Sequence, residues 1–129
     1  MANPMTSPIE TRISILTLTE DGILVASIKE QSEESYEDAR ENGAGLLKIL
    51  DGGPPAPLLV DMRMAAGQSM EARKYYAEHA GQWSTKVALL VGSPVSRVMG
   101  NIYMGLNKPK VPTRMFTDEG KAYSWLRDA

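Results

Sequence analysis

No cysteine occurs among the 129 residues, which excludes disulfides, thiol redox chemistry and thiolate metal sites together. Histidine is almost as scarce. His79 is the only one and has no cluster of metal-ligand residues with it, so neither a metal nor another cofactor is expected. Catalysis would have to rest on scattered carboxylates, hydroxyls and amines. No apolar run approaches the roughly 18 to 20 residues of a membrane span. The start, Met1-Ala2-Asn3-Pro4-Met5-Thr6-Ser7-Pro8, lacks the basic flank and apolar block of a secretory leader. A cytoplasmic protein with no integral membrane segment is the expectation. Basic excess is missing as well: the net charge is −2 and aromatics do not interleave with the lysines and arginines, so nucleic acid is not an expected partner.

What is present has the organisation of one α/β domain. The length suits a single core, with residues 1–9 read as a flexible N-terminal segment and residues 10–129 as the folded domain. Residues 12–19 partly alternate and favour a strand, and Ile23-Leu24-Val25-Ala26-Ser27-Ile28 supplies its hairpin partner after Glu20-Asp21-Gly22. From Ser32, read as an N-cap, the residues Tyr36, Ala39, Gly43, Leu46, Leu47 and Leu50 recur at helical spacing, with Glu33 and Glu34 suited to the positive end of the helix dipole. Gly43 and Gly45 weaken that helix and point to a kink or to close packing.

Pro54, Pro55 and Pro57 then deliver the chain into Leu58-Leu59-Val60-Asp61-Met62, short and apolar enough for a central strand. A helix introduced by Gly67 and Ser69 follows, then a strand over Lys86–Gly92. Ser93-Pro94 is a compact helix-start signal for a helix running to about Leu106. Arg114-Met115-Phe116 gives a last strand. Thr117 and Asp118 cap a closing helix that buries Ala122, Tyr123, Trp125 and Leu126. The expected architecture is a mixed five-stranded sheet with an N-terminal β-hairpin and about four helices, its parallel pairs joined by right-handed crossovers.

This order, with Leu-Leu-Val-Asp ending a central strand, Val-Ala-Leu-Leu-Val-Gly-Ser-Pro, Gly-Leu-Asn-Lys-Pro and the closing Thr-Arg-Met-Phe-Thr-Asp-Glu-Gly-Lys-Ala-Tyr-Ser-Trp-Leu, resembles the bacterial SpoIIAA-like proteins of the STAS superfamily over about residues 10–128. The resemblance implies a STAS-type fold, related in architecture to anti-sigma factor antagonists and to lipid-binding SEC14-type domains, and a non-enzymatic binding or regulatory role. In anti-sigma factor antagonists the phosphorylated Ser or Thr directly follows an Asp at the end of the central strand. Here Met62 and Arg63 follow Asp61, and Ser69 is the first hydroxyl after it. Ser69 is thus the candidate phosphorylation site, with an N-cap as its plain structural role.

Asp61 is the best-placed candidate binding residue, because open α/β sheets hold ligands at the carboxyl ends of their strands; its structural alternative is a loop cap or an ion pair with Arg63 or Arg97. The helix after Ser93 carries more apolar residues than one buried stripe needs: Val95, Val98, Met99, Ile102, Tyr103, Met104 and Leu106. Gly100 and Gly105 allow close approach along it, and Met adapts to irregular surfaces. Core packing, a homodimer interface and a lipid-type pocket wall are its three readings. Asn107-Lys108-Pro109-Lys110 can meet anionic groups or remain a solvated loop. The expected binding set is therefore Asp61, Arg63, Ser69, Ser93, Arg97, Met99, Ile102, Tyr103, Asn107 and Lys108, with no catalytic residue.

Charge is unevenly divided: residues 1–64 hold 5 basic and 11 acidic side chains, residues 65–129 hold 9 and 5. Solvated faces or head-to-tail self-association both follow from that division. The leading expectation is an interaction module that binds a protein partner or itself. A carrier or sensor of a small apolar or lipid-type ligand comes second, and an enzyme using Asp61 or His79 third.

Overall fold

Alternation along the central strands dictates a sheet covered on both sides. In the computed structural model, which describes residues 7–30 and 32–128, Leu58, Val87 and Leu89 point into one core, while Leu59, Ala88 and Leu90 point into another on the opposite face. Both strands are therefore of the two-sided buried kind found in parallel sheets. Six strands, β1 (Ile9–Glu10), β2 (Ser14–Leu18), β3 (Leu24–Ile28), β5 (Ala56–Asp61), β7 (Ser84–Leu90) and β8 (Thr113–Phe116), pair in that order, with a separate two-residue pair between β4 (Glu33–Glu34) and β6 (Gly67–Gln68). β1, β2 and β3 form an antiparallel meander; β3, β5, β7 and β8 run parallel.

Because β3, β5, β7 and β8 are added in one direction, crossovers of one hand place the intervening helices on a single face. These are α1 (Tyr36–Leu50), α2 (Met70–His79) and α3 (Pro94–Ile102), the last continued by a π-helical turn at Tyr103–Asn107. The closing helix α4 (Glu119–Arg127) seals the other face with Ala122 and Leu126, both buried.

The main sheet thus has six strands rather than five. Ile9–Glu10 adds the sixth, pairing Ile9 with Leu16. Of the expected flexible segment, residues 1–6 lie outside the described residues. The first helix begins at Tyr36, capped by Ser35 and not by Ser32: the Ser35 hydroxyl accepts from Asp38 N, and the Asp38 carboxylate accepts from Ser35 N in return. Residues 33–34 are extended instead, held to β6. The other caps lie where local sequence puts them, with Ser69, Ser93 and Asp118 each accepting a backbone N–H of the first turn. The hairpin turn closes with Gly22 at φ 82°, a conformation that costs a residue without Cβ little.

α1 runs uninterrupted through both helix glycines, from Tyr36 to Leu50. A Cβ on Gly43 would lie 2.9 Å from Trp83 Cη2 and 2.9 Å from Tyr75 Oη, and one on Gly45 would lie 2.6 Å from Leu16 Cδ1. Close packing of the helix on Trp83 and the sheet is their role. Gly43→Ala should therefore lower stability by about 1–2 kcal/mol, overpacking outweighing the gain of about 1 kcal/mol in helix propensity. Urea unfolding followed through Trp fluorescence reads this, and a stabilised variant would disprove the packing account.

Candidate functional site

Sequence order in the first turn of a helix made Glu34 look like a dipole partner; the fold buries it instead. β4 brings Glu34 inward at the carboxyl end of the parallel strands, where it is 8 % exposed. Gln68 Nε2 on the paired strand donates to Glu34 Oε1 at 2.7 Å. Tyr76 Oη from α2 donates to Oε2, and Asn42 Nδ2 from α1 lies 3.3 Å from the same oxygen. The network continues outward: Asn42 Nδ2 reaches Tyr76 Oη and Ser14 Oγ, both at 3.1 Å, and Asn42 Oδ1 accepts from Thr11 Oγ1 at 2.7 Å. Among the described residues Glu34 forms no ion pair. The nearby cation Arg12 is engaged by Asp38, its Nε donating to Asp38 Oδ1 at 2.7 Å.

Burial without a counter-ion disfavours the carboxylate and pushes Glu34 up to about 7, the bonds from Tyr76 and Gln68 only partly opposing it. The Arg12 guanidinium does the reverse at Asp38, holding that carboxyl well below its usual range. Burial also raises the phenols of Tyr76 and Tyr103.

Glu34, Asn42, Gln68 and Tyr76 form one end of a mainly apolar cavity of about 80 Å³ between the sheet and α1–α3. Leu58, Val87 and Leu89 form its floor and Leu46, Met99 and Tyr103 part of its helical wall. Gly100 lets α3 approach β8 closely, since a Cβ there would lie 2.9 Å from Met115 Cε.

The ten residues expected to form one site separate into distinct places. Asp61, Arg63 and Ser93 gather at the carboxyl end of the sheet. Asp61 is bonded by Arg63 at 2.9 Å and 2.7 Å, the Arg63 guanidinium continues to Glu119 Oε1 at 3.2 Å, and the Arg63 stem lies against Gly92. Ser69 and Ser93 are caps, with Ser69 Oγ accepting from Ala72 N at 3.0 Å. Met99 and Tyr103 are buried and line the cavity. Arg97 is exposed on α3. Ile102, Asn107 and Lys108 lie toward the opposite end of the sheet, because α3 starts at the carboxyl end of β7 and returns toward the start of β8. His79 ends α2 against Tyr75, just before β7 begins, whereas Asp61 ends β5; the parallel pairing of β5 and β7 therefore separates the two.

Glu34, Asn42, Gln68 and Tyr76 were missed. The spacing of Asn42 with the apolar positions of α1 was the one available signal, since a polar residue on an inward helical face must find partners.

Comparison with known proteins gives a family and a fold. The family model described as a domain of unknown function, DUF7793, matches residues 17–129. An anti-sigma factor antagonist from Mycobacterium paratuberculosis superposes with a TM-score of 0.64 at 18% identity, over 99% of this chain and 100% of that one. A DUF3478-family protein from Shewanella loihica PV-4 with a SpoIIAA-like fold gives 0.58 at 17% identity, over 98% and 95%. A protein of unknown function from Arthrobacter sp. FB24 is 30% identical over 88% of this chain and 99% of that one, with a TM-score of 0.32. No curated protein matches. The fold is the SpoIIAA-like, STAS-type α/β fold.

The raised Glu34 carboxyl fixes the sign of a pH effect. A carboxyl raised from 4.5 to about 7 on folding stabilises the folded state fully below pH 4.5, and this contribution is lost as pH rises through 7. Urea titrations across pH 4.5–8 should show a loss on the order of 3 kcal/mol, and Glu34→Gln should flatten most of it. Asp38 acts oppositely, its contribution disappearing at strongly acid pH. An unchanged slope in the Glu34→Gln protein would show that other groups govern the titration.

Proposed function

The chain belongs to the DUF7793 family, and on that premise we propose that it is a non-enzymatic, STAS-type regulatory module that binds a protein partner through the outer face of α3. The observation that carries this is the apolar surface left on a helix already buried on its inner side. Ser96, Met99, Gly100 and Tyr103 pack inward, yet Val95, Val98 and Leu106 are 47%, 57% and 78% exposed. Core packing does not require these side chains, and contiguous exposed apolar surface is the usual mark of an interaction site. Carboxylates are absent from 79–117, and Arg97, Lys108 and Lys110 are exposed on α3 and the loop that follows it, which favours an acidic partner. The description of one fold neighbour as an anti-sigma factor antagonist is in keeping with this reading.

A second reading, a sensor of a small apolar ligand, rests on the cavity beneath α3. At about 80 Å³ it is small beside the roughly 300–1,000 Å³ of common ligand pockets, so a short apolar group suits it and a whole lipid does not.

Val98→Asp should leave stability within about 0.5 kcal/mol of the parent, as expected of an exposed position, whereas Met99→Asp should unfold the domain. A photo-crosslinker placed at Val98 in the producing cell should trap a discrete adduct that the same group at exposed Ala44 does not. Identical adducts from both positions, or none, would sink the interface; an adduct of twice the chain mass would identify a second copy as the partner.

A further inference from the structure

We infer that the polar end of the cavity is a binding site for a small primary ammonium ion carrying a short apolar tail, with Glu34 as its counter-ion. The inference rests on the small-ligand reading of the cavity and names the class of ligand.

Buried carboxyls are normally paired with a cation or coordinate one. Glu34 lines a cavity, is 8 % exposed and makes no ion pair among the described residues. Its neighbours are donors that hold it in place without neutralising it: Gln68 Nε2, Tyr76 Oη and Asn42 Nδ2. A carboxylate has about four lone-pair sites, so these three bonds leave room for a further donor, and the Gln68 amide contributes a second acceptor, Oε1, next to the carboxyl. A neutral alcohol could use the same acceptors but would leave the carboxylate charge uncompensated. A carboxylate ligand would repel it.

Beyond the carboxyl the lining turns apolar and aromatic, through Leu58, Trp83, Leu89 and Tyr103. That surface suits a hydrocarbon tail. Size limits it: benzene occupies an engineered cavity of about 150 Å³, whereas this one is about 80 Å³, so the tail is a few carbons long. Ser32, Gly67 and Gln68 line the polar end and are only half-buried, giving the charged head the shorter path to solvent.

The test titrates the full-length protein at mildly alkaline pH with n-butylammonium chloride, n-butanol and ammonium chloride, following heat of binding and backbone amide shifts. Expected is n-butylammonium binding about tenfold or more tightly than n-butanol, the increment of a hydrogen bond to a charged group, with shifts at Gly67 and Gln68 that ammonium chloride does not produce. Glu34→Gln, nearly isosteric, should bring the two ligands to equal affinity. Equal binding of n-butylammonium and n-butanol by the parent protein would overturn the amine assignment while leaving a small apolar ligand in place. Binding of neither would overturn both the assignment and the small-ligand reading.

Discussion

β5 and β7 bear apolar side chains on both faces, and neither strand can border water on either side. Burying a leucine or valine contributes roughly 1.5–3 kcal/mol, and Leu58, Leu59, Val87, Leu89 and Leu90 are all buried. Two covering layers are the only way to satisfy both faces. One is built by three crossovers of one hand, giving α1, α2 and α3 on the same side; α4 forms the other by returning after β8. The close seat of α1, made possible at Gly43 and Gly45, and that of α3, made possible at Gly100, follow from this demand for contact.

Where three helices meet one sheet face, the layer does not close with hydrocarbon alone. Thr11, Ser14, Glu34, Asn42, Gln68 and Tyr76 come from separate elements and satisfy one another's hydrogen bonds at the carboxyl end. Such a network stabilises only when its members are matched, because an unmatched buried polar group costs about 1–3 kcal/mol. Asn42 is the hub that ties the small β4–β6 pair to the main sheet. The exception is charge: Glu34 has donors but no cation, so the same network that locks the fold also leaves it responsive to protons and to cationic ligands.

The surface divides along the direction of α3. At its start the Asp61–Arg63–Glu119 bridge spans the ends of β5 and the beginning of α4, a set of exposed ion pairs whose worth in stability is small. Along its length the apolar residues Val95, Val98 and Leu106 face outward among basic side chains. On its inner side Met99 and Tyr103 touch the cavity. A ligand in the cavity and a partner on the surface would thus meet the same helix from opposite sides.

Local signals were legible in the sequence. Short uninterrupted apolar runs identified β5 and β7, and Ser69, Ser93-Pro94 and Asp118 marked helix starts correctly, because a cap is made within three residues of itself. The hairpin and the α/β order of the main strands and helices were readable for the same reason, each following from short-range pattern and connection rules, whereas the STAS-type fold came from the resemblance of the strand ends and the closing segment to SpoIIAA-like proteins. Long-range pairings were not legible. Ile9 joins the sheet through Leu16, Glu33–Glu34 is extended because Gly67–Gln68 lies beside it, and Ser35 replaces Ser32 as the cap in consequence. Glu34 and Tyr76 are 42 positions apart, and Thr11 and Asn42 are 31 apart. The sequence by itself determined the longer strands and the four helices and that the sheet would be covered. Only the tertiary structure decided that Glu34 would be buried without a counter-ion and that Met99 and Val98 would face opposite ways, since burial is a property of what packs against a residue and not of its neighbours in the chain.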